Sequence, residues 1–481
     1  MAVVSNKIEN VYPLTPLQEG MLFHHLANPD STEYILQYGH KVEFDIDNEY
    51  VEKALALIST KYSALRTAFA YKKTKEIYQV VLAEREIEFN YVDIEQVNDD
   101  EKNNEIEKLL TNDVNRGFDL MKDSLLRVIR VKYGSEDNRL IFTFHHIIVD
   151  GWCIGIVMNG FWDYYNSLCN GVTYDELLNN VKHEKETSND YSDYIKWLIK
   201  QDKEKAKNFW ANELLDYDSE AKIEALQKPE KTGNQMKKYT GSVDFDCTEK
   251  IKELSKNNNA TINTAAEVAV GILLQRYSGS NDVVFGKVVS GRNAPINGIE
   301  KMVGLFINTI PVRVNIDDKT TVAELLKTQQ KKGNECTGFD YYSLAEIQNN
   351  TKQGSNLINV IFVYENYMSG QESDSYDENG NQLKIEYARE QTNYGITISA
   401  TEIDNKLSFQ ILYDPNQYCD EEVKLIMDRL LKICEEIAVD PLNKVSEIDA
   451  IDEKEKNVIL TEFNNVQVDY PRNKTIAEIF E

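Results

Sequence analysis

The sequence has few cysteines, and none of them are closely spaced. The six cysteines of the 481-residue chain are Cys153, Cys169, Cys247, Cys336, Cys419 and Cys434. Disulfide frameworks and zinc sites use clustered cysteines, often as Cys-x-x-Cys pairs, so this distribution argues against both kinds of site. It favours a reduced, cytoplasmic compartment.

The sequence also lacks the patterns that indicate secretion, a membrane-spanning helix or a basic binding surface. The N-terminal residues show no basic stretch followed by an apolar run, the pattern of a signal peptide. No apolar run reaches the about 18 residues that a membrane-spanning helix requires. The chain has 53 Lys and Arg against 80 Asp and Glu, a net charge of −27. This charge argues against nucleic acid and anionic membranes as partners.

What is present is typical of a folded protein with more than one core. Hydrophobic residues make up 42% and aromatic residues 10% of the chain, unlike the apolar-poor composition of disordered proteins. A length of 481 residues exceeds that of one ordinary core and indicates several domains or lobes.

Apolar periodicity predicts helices and strands that alternate in both halves of the chain. The predicted helices cover residues 48–62, 153–168 and 264–277, and Gly279 ends the last of them. The predicted strands cover residues 139–149, 282–290, 303–314 and 359–364. Such alternation predicts α/β lobes around sheets. The polar run 184–190 is the predicted joint between two lobes, and the acidic run 371–382 a surface loop.

The sharpest chemical signal is the heptapeptide His-His-Ile-Ile-Val-Asp-Gly at residues 145–151. The chain has only 6 histidines, and two of them are adjacent here, at the end of a strand of buried type. Adjacent strand side chains point to opposite faces, so one imidazole can face a cleft while the other packs inside. Taken alone, such a pair is more often two core histidines beside an aspartate turn.

Together with other segments, this heptapeptide resembles the HHxxxDG motif of condensation domains of nonribosomal peptide synthetases. Any one of the other segments is weak alone, but together they occur in the order of that family. They lie at residues 12–24 (Tyr-Pro-Leu-Thr-Pro-Leu-Gln-Glu-Gly-Met-Leu-Phe-His), 65–69, 191–197, 282–292, 303–313, 362–367 and 413–418. The resemblance covers roughly residues 10–450.

The resemblance implies an α/β fold of two chloramphenicol acetyltransferase-like lobes, which form a V-shaped pseudo-dimer with a central tunnel. It implies an amide-forming acyltransferase, in which an acceptor amine attacks a donor thioester. Donor and acceptor would reach opposite ends of the tunnel on the 4'-phosphopantetheine arms of carrier proteins. The domain would need no cofactor of its own and no metal.

The resemblance also implies roles for residues of the heptapeptide. His146 is the expected catalytic residue, which points into the tunnel, positions the amine and takes a proton as the tetrahedral intermediate forms. His145 is the motif histidine, and Gly151 supplies a turn and a backbone donor near the thioester carbonyl. Asp150 and Arg66 are expected to form a structural salt bridge, so loss of Asp150 should mainly damage folding.

Three further residues are expected to line the tunnel and contact substrate or phosphopantetheine: Asn308, Ser290 and Trp152. A second histidine pair, His24 and His25, resembles one found in a subtype that also epimerises its donor. The Gly-Asp that follows the pair in that subtype is absent at the matching place. His24 is therefore interpreted as the end of the first motif.

The resemblance divides the chain into four parts. These are an N-terminal docking-type segment (1–10), an N-terminal lobe (11–183), a C-terminal lobe (184–448), and a linker with the entry to a truncated adenylation domain (449–481). The first part resembles the start of a synthetase protein whose donor carrier belongs to a separate upstream protein. The last part implies downstream adenylation and acceptor carrier domains.

Several subtypes share the heptapeptide. The first motif, with Gln-Glu-Gly-Met-Leu-Phe-His, is similar to that of subtypes whose donor ends in a D-residue, whereas residues 339–345 depart from the family's usual His-Gln-Asp-x-Pro-Phe pattern. An epimerisation domain is the nearest alternative, although its Glu-Gly-His-Gly-Arg stretch is missing. A starter domain for a fatty acyl donor stays open. So does an inactive recruitment platform, against which intact His146, Asp150 and Gly151 argue.

Overall fold

Helices and strands alternate along the chain in a computed structural model that describes residues 7–29, 31–72, 76–225, 229, 235–365, 385–465 and 471–480. The helices of the first part are α1 (Pro16–Ala27), α2 (Asn48–Lys61), α3 (Asp99–Arg116), α4 (Gly151–Cys169), α5 (Tyr174–Thr187), α6 (Tyr191–Ile199) and α7 (Lys203–Glu213). Its strands are β1 (Ile8–Pro13), β2 (Ile35–Val42), β3 (Thr67–Ala70), β4 (Tyr78–Leu82), β5 (Glu88–Asp93), β6 (Leu126–Lys132) and β7 (Asn138–His145).

The second part of the chain continues this alternation. Its helices are α8 (Phe245–Asn257), α9 (Ile262–Ser278), α10 (Val322–Cys336), α11 (Leu344–Asn349), α12 (Asp420–Val439), α13 (Glu453–Asn457) and α14 (Ile476–Phe480). Its strands are β8 (Lys237–Ser242), β9 (Asp282–Val289), β10 (Asn308–Asn315), β11 (Val360–Tyr364), β12 (Ile385–Arg389), β13 (Ile396–Ile403) and β14 (Lys406–Tyr413). Among the described residues, no helix combines the length and apolar character needed to cross a membrane.

The first lobe is built on a mixed sheet in the order β12-β2-β7-β6-β5. Only β6 and β5 run parallel, and the other neighbours are antiparallel. Apolar side chains of α2 and α4 share a core with those of β2, β6 and β7. The edge strand β12 comes from the second half of the chain and pairs with β2, so the sheet of the first lobe is completed by the second.

The second lobe is built on a sheet in the order β10-β9-β11-β13-β14-β8. Its central strands β9, β11 and β13 run parallel, and its core includes the apolar side chains of α9 and α12. Every residue of α9 from Thr264 to Gln275 is buried. Gly279 ends this helix in the left-handed conformation, with φ 64°, as predicted.

Aromatic side chains of α6 pack at the junction of the lobes, where the ring of Tyr191 lies 6.4 Å from that of Tyr12 in β1, measured between centroids. The ring of Phe306 lies 5.1 Å from that of Tyr191 and 4.7 Å from that of Tyr194, measured between centroids. The hydroxyl of Tyr191 donates to the carbonyl of Leu305 at 2.7 Å. Val303 and Leu305 themselves are buried in the core of the first lobe. Residues 303–307 therefore cross from one lobe into the other.

Most predicted elements are confirmed, and α2, α4, α9, β9 and β11 begin and end within two residues of their predicted bounds. The predicted strand 303–314 is wrong in its first part, because β10 begins only at Asn308. Val303, Leu305 and Phe306 are buried, and Val303, Leu305 and Ile307 pack with the core of the first lobe. Burial rather than strand pairing explains the apolar run.

Two other boundaries differ from prediction. The strand predicted over 139–149 ends at His145, and the apolar residues that follow are buried in a 3-10 turn. Residues 184–187 of the predicted joint form the exposed last turn of α5, so only residues 188–190 lie between α5 and α6. The predicted loop 371–382 lies outside the described residues.

Gly304 is the point of closest approach in the junction between the lobes. A Cβ atom built at this position would lie 2.2 Å from Cδ2 of Tyr191, whereas carbon atoms in contact are about 3.5–4.0 Å apart. The ring of Tyr191 has little room to retreat, because the residue is buried and its hydroxyl is bonded to Leu305. This contact requires glycine at 304.

We expect Gly304→Ala to lower the free energy of unfolding by about 1–3 kcal/mol, because the added methyl group overpacks the junction. The control is Gly333→Ala in α10, where no atom lies within 4 Å of a built Cβ. That change should raise stability by about 0.5–1 kcal/mol through helix propensity. Urea unfolding of both variants measures the difference, and equal effects of the two substitutions would contradict the proposed steric role.

His40 on β2 is a fully buried histidine away from the heptapeptide. Its Nδ1 accepts a hydrogen bond of 3.0 Å from Nε1 of Trp162, so it is held as a neutral acceptor. Burial lowers the pKa of His40 to about 4. The folded protein therefore keeps this ring neutral at pH values where an unfolded chain protonates it.

A histidine in the unfolded chain titrates near pH 6.5, so the unfolded state binds a proton between about pH 6.5 and 4 that His40 in the folded state does not. His40 should therefore lower the free energy of unfolding by about 1.4 kcal/mol between pH 7.5 and 5.5. In His40→Gln this part of the loss should disappear, because the glutamine side chain does not titrate. Unfolding curves at both pH values measure this, and an unaltered loss in His40→Gln would refute it.

Candidate active site

The adjacent histidines lie where β7 leaves its sheet. His145 pairs with Ile35 at the last position of the β2–β7 ladder. The chain then turns into a short 3-10 helix, His146–Ile148, and the N–H of His146 donates to the carbonyl of Tyr34 at 2.7 Å. The sheet thus ends between the two histidines, which places them in different surroundings.

His145 is a buried, structural ring. Its Nδ1 accepts the N–H of Ile147 at 3.1 Å, and edge-to-face contacts place the rings of His25 and Phe118 5.8 and 6.1 Å away. Burial lowers the pKa of His145 to about 3, with further lowering by His25 and His146. His145 is therefore neutral at ordinary pH and holds the turn through Nδ1.

His146 is half-buried and differs from its neighbour in its hydrogen bonding. Its Nδ1 is buried and has no hydrogen-bond partner among the described residues. Buried ring nitrogens without a partner are uncommon, and this one has capacity left for another molecule. The turn is also held from α1, where Nε2 of Gln18 donates to the carbonyl of Ile147 at 2.9 Å. The catalytic role of His146 stays a prediction.

Asp150 is a fully buried carboxylate that joins the two lobes. Its Oδ1 caps α4 by accepting the N–H of Cys153 at 3.0 Å, and its Oδ2 accepts the N–H of Phe306 at 3.1 Å. Nη2 of Arg292 lies 3.3 Å from Oδ1. One carboxylate therefore binds its own helix, the crossing segment 303–307 and a guanidinium that follows β9.

The Arg292 side chain completes this junction. Its Nη1 donates to the carbonyls of Ile299 and Met302 at 2.5 and 3.1 Å, and its Nη2 lies 3.1 Å from Sγ of Cys153. The guanidinium carbon is 4.1 Å from the ring centroid of Phe306, a cation–π distance. Sequence reasoning matched segment 282–292 to a family motif, but it did not identify the arginine that ends the segment as the partner of Asp150.

The predicted salt bridge between Asp150 and Arg66 is wrong. Arg66 instead pairs with Glu9, with 3.0 Å between Nη2 and Oε2. Its other nitrogens donate to main-chain carbonyls, including those of Ser59 and Thr60 in the last turn of α2. The last carbonyls of a helix lack intrahelical donors, so this buried guanidinium satisfies the end of α2 rather than the carboxylate of Asp150.

The structure brings Gly151 and Trp152 to the same junction. Gly151 is the first residue of α4, in the turn whose N–H groups have no acceptor within the helix. Nε1 of Trp152 donates to the carbonyl of Glu300 at 2.9 Å, and the guanidinium carbon of Arg292 lies 5.7 Å from the indole centroid. Trp152 thus bridges the two lobes as well as adjoining the heptapeptide.

Asn308 and Ser290 differ in exposure. Asn308 is buried at the start of β10, where its Nδ2 donates to the carbonyls of Asp340 and Tyr342 at 2.7 and 2.8 Å. Ser290 is exposed just after β9, and its Oγ accepts the N–H of Arg292 at 3.4 Å. Their contact with substrate stays a prediction.

Asp340 is a buried carboxyl that sequence reasoning missed. It lies in segment 339–345, where the chain departs from the family pattern, and its Oδ2 accepts a hydrogen bond of 3.0 Å from Nδ2 of Asn293. Burial raises the pKa of Asp340 to about 6. The departure from the pattern was the available signal. Within the described parts of the chain, no cluster of three or more His, Cys, Asp or Glu residues could hold a metal ion.

Double-mutant cycles on the free energy of unfolding can test whether Asp150 pairs with Arg292 rather than with Arg66. Asp150→Asn and Arg292→Gln should show a coupling energy of at least about 1 kcal/mol, because they share one buried contact. Asp150→Asn and Arg66→Gln should be additive within about 0.5 kcal/mol. Urea unfolding of the single and double variants measures both cycles, and the opposite pattern would restore the pairing of Asp150 with Arg66.

The chain matches one known protein family over most of its length. The family model described as Condensation domain matches residues 8–460. The chain is 33% identical over 479 residues to bacitracin synthase 3 of Bacillus licheniformis and 35% identical over 478 residues to tyrocidine synthase 3 of Brevibacillus parabrevis. These alignments cover 99% and 98% of this chain, which spans only 7% of the length of either relative.

Solved structures share the fold. A holo four-domain nonribosomal peptide synthetase bound to AMP and glycine superposes with a TM-score of 0.76 at 16% identity, over 95% of this chain and 35% of that chain. The first condensation domain of the calcium-dependent antibiotic synthetase, in complex with a substrate analogue, gives 0.69 at 14% identity, over 92% and 100%. These matches confirm the predicted α/β fold of two lobes.

The family match accounts for nearly all of the described fold and for the segment that contains both histidines. Condensation domains of nonribosomal peptide synthetases catalyse peptide-bond formation between carrier-bound substrates and have no cofactor of their own. Because the match extends from residue 8 to residue 460, the chain belongs to the condensation-domain family, whose members are amide-forming acyltransferases.

Proposed function

We propose that this chain joins two acyl groups carried on the phosphopantetheine arms of separate carrier proteins. The α-amine of an acceptor aminoacyl group attacks the thioester of a donor aminoacyl or peptidyl group in the tunnel between the lobes. The supporting observation is His146, half-buried in the turn after β7, with a buried Nδ1 that no described residue binds. Such a group is suited to hold an amine at the point of attack.

In the proposed mechanism His146 acts on the proton of the attacking nitrogen. The attacking amine must be neutral, and loss of its ammonium proton to water at pH 7 costs roughly 1.4 kcal/mol at the reference pKa of about 8. Desolvation of the amine between the lobes reduces this cost. As the C–N bond forms, His146 accepts one N–H proton. Collapse of the tetrahedral intermediate breaks the C–S bond, and the leaving sulfur takes up the proton, which gives an amide and a thiol.

Other residues of the junction support the same reaction. The first turn of α4 directs N–H groups and the positive end of the helix dipole outwards, and we assign the N–H of Gly151 to the thioester oxygen. Asn308 would contact substrate through Oδ1, because its Nδ2 already donates to two main-chain carbonyls. Ser290, exposed at the end of β9, and Trp152 would contact the phosphopantetheine arm.

The proposed donor ends in a D-residue. The first motif, whose form is similar to that of D-accepting subtypes, lies largely on α1, and Gln18 of this helix contacts the turn of His146. A change in this motif can therefore reach the site directly. The alternatives are an epimerisation domain, a starter domain with a fatty acyl donor, and a recruitment platform without turnover.

The proposed partners are an upstream donor carrier protein and downstream adenylation and acceptor carrier domains, because the reaction needs two carrier-bound groups. The proposed docking-type segment (1–10) and linker segment (449–481) flank the two lobes (11–183 and 184–448). The low cysteine content supports a cytoplasmic location.

The test is a dipeptide assay with two loaded carrier proteins, one with an aminoacyl donor and one with an amino-acid acceptor. D- and L-donors are run side by side, and mass spectrometry detects the carrier-bound dipeptide. We expect product from the D-donor, lost by about 100-fold or more in His146→Ala because general acid–base catalysis contributes this much. Exposed His183→Ala is the matched control and should retain full turnover.

Each other outcome selects a different function. Product from the L-donor alone would discard the D-specific subtype and keep the enzyme. Loss of the donor's stereochemistry without dipeptide would identify the epimerisation alternative, and amide formation only with a fatty acyl donor would identify the starter domain. Carrier binding with no product from any donor would support the platform, and full turnover in His146→Ala would remove His146 from the mechanism.

A further inference from the structure

Tyr34 has a backbone conformation that is unusual for a residue with a side chain. Its φ is 63°, in the left-handed region, which costs a residue other than glycine about 1–2 kcal/mol. Such a conformation persists where its surroundings hold it. Here the N–H of Tyr34 donates to the carbonyl of Gln391 at 3.2 Å, and its carbonyl accepts the N–H of His146 at 2.7 Å. Both main-chain groups of the strained residue are thus in use.

The side chain of Tyr34 is held as firmly as its backbone. Its hydroxyl donates to Oδ1 of Asn393 at 2.9 Å, and burial raises the pKa of Tyr34, so the phenol remains a donor. Its ring lies 6.1 Å from that of His24 on α1, and Nδ2 of Asn393 is 3.3 Å from Nε2 of His24. Tyr34 is therefore attached to α1 and to segment 390–394, which follows β12 from the second half of the chain.

His146 depends on its main chain for its position. Catalytic and metal-binding histidines are commonly oriented by a hydrogen bond to the second ring nitrogen. The buried Nδ1 of His146 has no such partner in the described part of the chain. Its backbone is fixed by the hydrogen bond from its N–H to the carbonyl of Tyr34 and by the one that its own carbonyl accepts from the N–H of Val149. A displacement of about 1 Å at a reacting group can cost about 100-fold in rate.

We propose that Tyr34 is a positioning residue for His146, through which segment 390–394 from the second half of the chain sets the place of the catalytic imidazole. The left-handed backbone directs the Tyr34 carbonyl at the His146 N–H, and the contacts to Gln391 and Asn393 keep it there. This inference rests on the proposed catalytic role of His146. Tyr34 lies outside every family-like segment of the sequence. Because segment 390–394 directly follows β12, pairing of β12 with β2 would also determine the position of the imidazole.

The first test is Tyr34→Phe, which removes the hydroxyl and keeps the ring. In the dipeptide assay we expect kcat to fall about ten-fold, the loss typical of one hydrogen bond. KM for either carrier should stay within about two-fold, because Tyr34 acts through His146 rather than on a carrier. The matched control is Tyr62→Phe. Tyr62 is as buried as Tyr34, each 9% exposed, and packs in the same core. It should keep full kcat.

The second test is a double-mutant cycle on kcat with Asn393→Ala. If Asn393 acts through Tyr34, the single variants and the double variant should all lose about the same ten-fold factor. Losses that multiply to about 100-fold would show two independent effects and overturn the coupling. Urea unfolding of the same variants shows whether the fold is intact, and a purely structural role would lower stability without a change in kcat per folded molecule.

The two proposals fail in different ways. Unaltered kcat in Tyr34→Phe, together with loss of turnover in His146→Ala, would refute the positioning role and keep the catalytic one. Full turnover in His146→Ala would remove the basis of both. A fall in kcat in Tyr34→Phe and Asn393→Ala, with Tyr62→Phe unaffected, would support the path from segment 390–394 to the imidazole.

Discussion

The buried carboxylate of Asp150 makes the hydrogen bonds and the ion pair on which the rest of the structure depends. A charge out of reach of water costs several kcal/mol unless hydrogen bonds and an opposite charge surround it. Here the N–H groups of Cys153 and Phe306 and the guanidinium of Arg292 supply these partners. Two of the three come from the second lobe, so the first lobe has a fully satisfied carboxylate only when the second is in place.

This requirement extends to the chemistry proposed for His146. Asp150 lies four positions after His146, at the start of the helix that follows the turn. The contacts of Asp150 with Phe306 and Arg292 therefore fix one end of the segment that carries the imidazole. Tyr34 fixes the other end through the main chain of His146. Each anchor also reaches the second half of the chain, one through Arg292 and the other through Gln391 and Asn393. The imidazole is thereby located relative to both lobes, as the proposed reaction between two carrier-bound groups requires.

The sequence predicted those parts of the molecule that depend on local pattern. α2, α4 and α9 have regular apolar spacing, and Gly279 was identified as the end of α9 because glycine tolerates the left-handed conformation. Family resemblance identified the two lobes and the histidine turn. The strand prediction was wrong at 303–307, because a buried segment that crosses into another lobe has the same apolar character as a strand.

Partners distant in sequence were beyond the same reasoning. Arg66 and Arg292 are both single arginines in family-like segments, and nothing local distinguishes the one that caps α2 from the one that meets Asp150. Tyr34 carries no turn signal, since its left-handed backbone results from contacts with Gln391 and His146 rather than from its own preference. The only sequence signal for Asp340 was that segment 339–345 departs from the usual pattern of the family. In each case a contact between distant segments decided the outcome, and only a folded chain specifies such contacts.

The strand β12 has a consequence for synthesis of the protein. The first lobe contains most of its sheet by residue 145, but the edge of β2 is covered only when residues 385–389 have left the ribosome. Until then β2, whose residues are almost all buried in the finished fold, presents unpaired N–H and C=O groups, the kind of edge on which strands of other chains add. The second lobe must be translated nearly to its end before that edge is protected. During synthesis the first lobe therefore has an exposed strand edge, a kind of site at which other strands can add and aggregation can begin.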